Sequence, residues 1–236
     1  MKFNISGFTH KGTGKYLTNE DNVLINGTCF NEGKITLLDQ EFCTCFISDG
    51  VGGNQGGFYA STFVLTEINK LEKNQYQNLN ELLYKINEGL LASVLNDDNL
   101  KGCACTLSGI IANCDLEEFF HIGDSEIWLL RDDMLMKISK DEVLDEDNPG
   151  SPLTNYLGGD SNKLKVNTDW HKPELLIDDI FLICSDGLFK SLNAKLVKPI
   201  LSAEKSVEEK VLKLKENCLN LGSEDNVSAV VIETFE

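Results

Sequence analysis

The chain has 236 residues, of which 38 are acidic and 21 basic, and its formal net charge of −17 argues against a nucleic-acid partner, because a polyanion would be repelled. Its apolar segments fall short of the roughly 18–20 residues that a membrane span needs, and no apolar signal region follows Met1. We therefore expect one soluble, cytoplasmic, monomeric domain over residues 1–236, with no membrane contact.

The 8 cysteines lie in apolar surroundings and are predicted to be reduced core residues. Cys43 and Cys45, like Cys103 and Cys105, would share one face of a strand. A zinc site is therefore an alternative for these thiols, although their spacing differs from that of a zinc knuckle.

Strands and helices are predicted to follow one another in blocks. Apolar and β-branched runs predict strands at 2–8, 34–38, 42–48, 105–112, 117–122, 126–131, 134–138, 180–185 and 227–234. Helical spacing of apolar residues predicts one helix over 63–71 and a second over 79–94, while a capping box at Ser206 and Glu209 opens a third that ends at Gly222.

The close succession of strands between residues 117 and 138 predicts antiparallel hairpins. The pattern therefore favours an α+β sandwich. Residues 141–159 are acidic and aperiodic, so we expect an exposed loop beside the functional site.

Acidic residues stand where several of these strands end. Asp49 and Asp186 each lie in a Ser-Asp-Gly sequence directly after an apolar run, Asp124 follows the strand at 117–122, and Asp225 precedes the last strand. Any one of them could be ordinary turn chemistry, since Asp-Gly is a common turn dipeptide. The repetition of the same pattern instead predicts carboxylates gathered at strand ends, which suit hard divalent cations.

The acidic motifs also occur in a characteristic order. They are Asn19-Glu20-Asp21-Asn22, Ser48-Asp49-Gly50-Val51-Gly52-Gly53, Gly123-Asp124-Ser125, Leu157-Gly158-Gly159-Asp160, Ser185-Asp186-Gly187-Leu188 and Glu224-Asp225-Asn226-Val227-Ser228. From about Thr9 to the last strand, the chain resembles the metal-dependent serine/threonine protein phosphatases of the PPM, or type 2C, family. The resemblance implies a four-layer α-β-β-α sandwich with two central antiparallel sheets flanked by helix pairs.

The resemblance also implies a set of metal ligands. Asp49 would bridge two Mn²⁺ or Mg²⁺ ions, Glu20 and the Gly50 carbonyl would bind one of them, and Asp186 and Asp225 would hold the other. Asp21 would orient bound water, and Asp124 with Asp186 could hold a third ion. Asn226 would support Asp225.

The residue chemistry agrees with this expectation. The ligands on offer are oxygens, and 3 scattered histidines suit Mg²⁺ or Mn²⁺ better than zinc. Two bridged ions would lower the pKa of a shared water and direct the resulting hydroxide at phosphorus. The resemblance implies that the substrate is phosphoserine or phosphothreonine on a kinase-phosphorylated protein. Asp21, Asp49 and Asp186 would then be catalytic.

Other chemistries are less well supported by the motifs. No Cys-x5-Arg loop surrounds Cys184, which is expected in the core, and no Gly-Lys-Ser/Thr follows Gly52-Gly53 to make a nucleotide site. The histidines are expected to be structural or at the surface, with His10 a candidate for a remote general acid.

The chain departs from its relatives around the substrate. Many relatives carry a phosphate-binding arginine four residues before the metal-binding glutamate, where this chain has Tyr16 preceded by Lys15. Lys15 could supply charge but not a bidentate contact, so we expect altered phosphate binding at Lys15 and Tyr16. Relatives also tend to have arginine at the position of Glu126. Their Gly-Thr-Thr strand motif is replaced here by Gly-Cys-Ala-Cys-Thr at 102–106.

Two alternative functions remain open from the sequence. One is a catalytically weak relative that serves as a sensor or binding module, although the complete acidic set argues against it. The other is a calcium-binding protein without enzymatic activity, against which stands the lack of an Asp-x-Asp-x-Asp-Gly loop.

Overall fold

The computed structural model describes residues 1–15, 17–51, 55–148, 150–159, 164–166 and 172–236, with Gln55 described by its backbone. Its strands are β1 (Lys2–His10), β2 (Asn22–Ile25), β3 (Thr28–Phe30), β4 (Gly33–Gln40), β5 (Cys43–Ser48), β6 (Gly50–Val51), β7 (Ala104–Cys105), β8 (Leu107–Ala112), β9 (Glu117–Ile122), β10 (Glu126–Arg131), β11 (Met134–Lys137), β12 (Leu157–Gly158), β13 (Ile180–Cys184) and β14 (Val227–Phe235). The helices are α1 (Gln55–Asn69), α2 (Leu79–Ser93), α3 (Asp186–Ser191), α4 (Ala194–Leu201) and α5 (Val207–Asn220), with a 3₁₀ segment at Lys73–Asn78.

Two larger antiparallel sheets form the centre of the molecule. One has 6 strands in the order β11-β10-β13-β14-β1-β4, and the other has 5 in the order β3-β2-β5-β8-β9. Strands β1 and β14 are neighbours, so both ends of the described chain lie inside one sheet. The α+β class and the antiparallel pairing predicted from the sequence are confirmed.

Three buried clusters separate the layers of helices and sheets. Residues of α1 and α2 pack on the five-stranded sheet, and residues of α3, α4 and α5 pack on the six-stranded sheet. The third cluster lies between the two sheets and includes Phe3, Phe119 and Phe181. Successive residues of a central strand face opposite clusters, as Phe46 and Ile47 of β5 do, so the strand supplies an apolar face to each neighbouring layer.

Several element predictions need correction. The predicted strand at 105–112 is interrupted at Thr106, whose backbone N–H donates to Asp49 O at 2.9 Å rather than to a strand partner. Strands β2 and β3 and helices α3 and α4 were not predicted, because they are too short to show a period. The capping box was correct: Ser206 accepts from the Glu209 N–H, and the Glu209 side chain accepts from the Ser206 N–H.

The loop expected at 141–159 is exposed only in part. Residues 144–148 are exposed, and Pro149 lies outside the described residues. Asn155 and Leu157 are buried instead, because β12 pairs with β7 and so draws this part of the segment into the fold. Within the described residues, none of the helices combines the length and apolar character that crossing a bilayer requires.

Candidate metal centre and active site

Strand register brings the acidic positions to one end of the two sheets. Asp124 lies between β9 and β10, and Asp186 follows β13. Because Glu126 at the start of β10 pairs with Cys184 at the end of β13, Asp124 and Asp186 lie at the same end of the six-stranded sheet. The start of β14 lies at the same end, because its Ala229 pairs with Cys184. In the other sheet, the end of β5 pairs with the start of β2. Asp225, Asp49 and the Glu20-Asp21 pair therefore face the same region.

Hydrogen bonds to Thr106 hold the backbone of Asp49 at the end of β5. Its backbone N–H donates to Thr106 Oγ1 at 3.0 Å, and the Thr106 N–H donates to Asp49 O at 2.9 Å. The Thr106 hydroxyl also bonds the Ser125 hydroxyl at 2.7 Å, next to Asp124. Although the sequence at 102–106 departs from Gly-Thr-Thr, it retains Thr106, which joins the Asp49 segment to the Asp124 segment.

The carboxylates raise one another's pKa values. Burial, followed by the charges of Asp21, Asp186, Asp124 and Asp225, raises the pKa of Asp49 well above its ordinary value. Burial and the Asp186 carboxylate likewise raise the pKa of Asp124 to about 7. The carboxylates of this cluster outnumber the cations among them, and a divalent cation would relieve the repulsion.

Asp21 is fully buried beneath this cluster. Its Oδ2 accepts hydrogen bonds from the hydroxyls of Ser185 and Ser228, each at 2.7 Å, whereas its Oδ1 is buried with no hydrogen-bond partner. Burial raises the pKa of Asp21 to about 6, the two hydroxyls oppose the rise, and Asp186 and Asp225 add to it. A buried carboxylate oxygen without a donor is suited to a cation or its bound water.

Glu20 and Gly50 border a common space beside Gly57. A Cβ added to Gly57 would overlap Glu20 Oε2 and would also lie 2.8 Å from the Gly50 carbonyl oxygen. Asn226 fixes the Glu20 backbone, since its Oδ1 accepts from the Glu20 N–H at 2.8 Å. Asn226 also contacts Asp225, as expected, but through its backbone N–H, which donates to Asp225 Oδ1 at 2.9 Å.

Lys190 is the main site residue that the sequence interpretation missed. Its Nζ lies 2.5 Å from Asp186 Oδ2 and 2.6 Å from Asp225 Oδ2, the two carboxylates assigned to one ion. The available signal was its spacing of four residues from Asp186, which places both side chains on one face of a helix.

A cavity of about 860 Å³ opens beside Asp225 and Lys190, and Thr13, Gly14 and Lys15 line its other side. Thr13 donates from its backbone N–H to Ser223 O at 2.7 Å, which holds the Lys15 segment against the loop before β14. Lys15 thus lines the same cavity as Asp225, and its expected role in phosphate binding stays a prediction. Tyr16 lies outside the described residues.

Several named relatives resemble this chain. No protein-family model matches it. It is 27% identical over 208 residues to the serine/threonine protein phosphatase PstP of Mycobacterium tuberculosis, covering 80% of this chain and 40% of that protein. It is 23% identical over 238 residues to the serine/threonine phosphatase Stp of Listeria innocua, covering 91% of this chain and 90% of the relative.

The solved structures agree. The M. tuberculosis PstP/Ppp structure superposes with a TM-score of 0.77 at 25% identity, over 100% of both chains. The chain is therefore similar in sequence and in fold to bacterial serine/threonine phosphatases of the PPM type. A second PstP structure, of the catalytic domain in complex with 2 manganese ions, has a TM-score of 0.77 at 23% identity and covers 100% of this chain and 99% of its own.

The oxygen atoms of the acidic cluster are candidate ligands for divalent metal ions. Among the residues that the structure describes, no three His, Cys, Asp or Glu side chains are closed around an ion position. The donors nevertheless fit a hard divalent ion, because they are oxygens and include the unpartnered Asp21 Oδ1, and because burial raises the pKa values of Asp21 and Asp49. Asp186 and Asp225 pair with Lys190 instead of converging with the other carboxylates on one ion position.

Among the described residues, Cys184 and His121 have structural surroundings. Cys184 is fully buried, and burial raises the pKa of its thiol well above the ordinary value, so it is a core residue. His121 bonds Ser108 Oγ and Lys140 O through its two ring nitrogens. His10 lines a separate pocket of about 260 Å³. His171 and Gly52-Gly53 lie outside the described residues.

The two cysteine pairs lie in the core, and Glu126 forms local polar contacts. Cys43 and Cys45 lie between the sheets, whereas Cys103 and Cys105 lie under the helices, so the pairs face different clusters. Glu126 accepts from Trp128 Nε1 and Lys137 Nζ, each at 2.6 Å. The residue that replaces the relatives' arginine is therefore held in a local ion-pair network.

Proposed function

We propose that this chain is a metal-dependent phosphatase that removes phosphate from phosphoserine and phosphothreonine of proteins phosphorylated by a serine/threonine kinase. The observation that carries the proposal is the gathering of Asp49, Asp124, Asp186 and Asp225 above the buried Asp21, with burial and mutual repulsion raising the pKa of Asp49. The match to PstP covers only 40% of that relative, and the chain's activity is inferred from its own site together with the family.

The proposal assigns the ligands in two groups. Glu20, the Gly50 carbonyl and Asp49 would hold one ion, because Glu20 Oε2 and the Gly50 oxygen border the same space beside Gly57. Asp49, Asp186 and Asp225 would hold the other. Mn²⁺ is supported by the manganese complex of PstP. Mg²⁺ suits the same oxygens.

When bound, the ions would supply an activated water and screen the charge of the phosphate. The chain itself would supply position and proton control. Asp21 Oδ1, buried and free of a hydrogen-bond donor, would accept a proton or hydrogen bond from water in the site. Ser185 and Ser228 would keep that carboxylate oriented through its Oδ2.

Two further groups complete the proposal. The charge of Asp186 raises the pKa of Asp124, so the two carboxylates interact, and they would hold a third, outer ion. Lys15 would meet the incoming phosphate, because it lines the cavity that opens beside Asp225. As a point charge it would bind with less directional precision than an arginine.

A weakly active sensor or binding module is the second candidate. The contact of Lys190 with Asp186 and Asp225 favours it, because an ammonium stands between two of the carboxylates assigned to metal. Measured turnover separates the two candidates: a sensor would bind Mn²⁺ yet hydrolyse no phosphopeptide.

The test is hydrolysis of a phosphothreonine peptide with added Mn²⁺, with Mg²⁺ and with a chelator. We expect turnover only with metal, and Asp49→Asn should reduce it by roughly a thousandfold or more, about 4 kcal/mol of barrier. The matched control is Asp98→Asn, which removes an exposed carboxylate and should leave turnover unchanged. Full activity in chelator, or in the Asp49→Asn variant, would contradict the proposal.

A further inference from the structure

Lys190 forms ion pairs with two carboxylates. Asp186 lies one helical turn before it in α3, and Asp225 comes from the loop before β14, so the ammonium joins two separate segments. The ammonium therefore pairs with both carboxylates and links the two segments.

The ammonium and a divalent ion need the same oxygens. Mg²⁺ lies about 2.0–2.1 Å from its oxygen ligands and demands near-octahedral geometry. Lys190 Nζ is 2.5 Å from Asp186 Oδ2 and 2.6 Å from Asp225 Oδ2, so it stands where an ion held by both oxygens would have to lie. Both cations cannot occupy that position together.

The side chain has room to leave. Lys190 is 44% exposed and lines the cavity shared with Lys15 and Asp225, so its flexible stem can turn outward into solvent. The exchange would replace one positive group by another of higher charge within the same carboxylate pair.

We infer that Lys190 is a tethered competitor for the metal position between Asp186 and Asp225, which neutralises the pair in the metal-free protein and raises the Mn²⁺ concentration needed to fill that position. The inference rests on the proposed function in one respect, that these carboxylates bind metal. Its consequence is a built-in threshold: one of the two central positions fills at lower metal concentration than the other.

The first measurement is Mn²⁺ titration by calorimetry of the wild type, Lys190→Met and Lys190→Gln. The weaker Mn²⁺ site should bind about tenfold more tightly in both variants, because two partly exposed ion pairs no longer have to be broken. The matched control is Lys198→Met, which removes an exposed lysine 2.9 Å from Asp133 and should leave both affinities unchanged.

The second measurement is thermal unfolding with and without saturating Mn²⁺. Without metal, Lys190→Met should melt about 2–4 °C below the wild type, since the two carboxylates lose their counter-ion. With Mn²⁺ the deficit should disappear or reverse. A lysine with a merely structural role would lower both melting temperatures equally.

The outcomes separate this inference from the proposed function. If the wild type binds no Mn²⁺, both fail. If Mn²⁺ binds and drives turnover but its affinities are the same in the wild type and both variants, only the competition is wrong. Unchanged affinities with a raised KM for phosphopeptide would overturn it in the same way, and would assign Lys190 to substrate binding instead.

Discussion

The hydroxyl of Ser228 donates a hydrogen bond of 2.7 Å to Asp21 Oδ2, and so joins the last strand to the segment that precedes β2. The two residues are 207 positions apart in sequence. Ser185 Oγ approaches the same oxygen at 2.7 Å, so three distant segments share one buried acceptor. The orientation of Asp21 is therefore a property of the completed fold.

The first prediction concerns this contact. Ser228→Ala should lower the free energy of unfolding by about 1–3 kcal/mol, because a buried carboxylate loses one of its two hydroxyl donors. Urea unfolding measures the change, and Ser202→Ala, at an exposed helix end, is the control with little effect. Mn²⁺ affinity should fall in the Ser228 variant only. Equal stability of the two variants would show that the hydroxyl does not orient Asp21.

Gly57 provides a test of the first ion position. A methyl group there would overlap Glu20 Oε2 and press on the Gly50 backbone, so Gly57→Ala should displace both ligands and weaken Mn²⁺ binding by at least about tenfold. Gly89→Ala is the matched control: its Cβ would meet Phe63 at 3.5 Å, an ordinary contact, and alanine should stabilise helix α2 by about 0.5–1 kcal/mol. Normal Mn²⁺ binding by Gly57→Ala would contradict the assignment of Glu20.

A third prediction concerns pH. Burial and Asp186 raise the pKa of Asp124 in the folded state to about 7, whereas an unfolded Asp titrates near 3.9. The folded metal-free protein therefore binds more protons over that range, and its stability should fall as pH rises from about 4 to 7.

Asp124→Asn should remove about 1–2 kcal/mol of this pH dependence, a figure reduced for partial exposure to water. Thermal melts of the metal-free protein at pH 5 and pH 8 measure it, with Asp98→Asn as the control. If Asp124→Asn keeps the full slope of the wild type, Asp124 does not titrate in this range.

The fourth prediction concerns phosphate binding. Lys15→Ala should raise KM for a phosphopeptide by about tenfold with less effect on kcat, because a ground-state charge contact binds substrate and transition state about equally. Tyr16→Arg should lower KM if the missing arginine leaves phosphate weakly bound. Lys213→Ala on helix α5 is the control for loss of charge. An unchanged KM in Lys15→Ala, with KM lowered in Tyr16→Arg, would remove Lys15 from the substrate site.

Much of the site could be predicted from the sequence, because strand ends carry a local signal. Apolar runs stopped by Asp-Gly located Asp49 and Asp186, and the capping box located the start of helix α5 at Ser206. These features depend on neighbours within a few residues, so the sequence alone determines them. The order of the acidic motifs then predicted the family and its α+β fold.

Contacts between distant segments were decided only by the tertiary structure. Lys190 between Asp186 and Asp225, Asn226 against the Glu20 backbone, and Ser228 against Asp21 each depend on strand register and loop packing. No local pattern specifies which oxygen a flexible lysine or a buried hydroxyl will reach. The sequence by itself determined which carboxylates are present and where strands end, whereas the packing of the sheets decided which groups neutralise and orient them, because charge and hydrogen bonding depend on distances that only the folded chain sets.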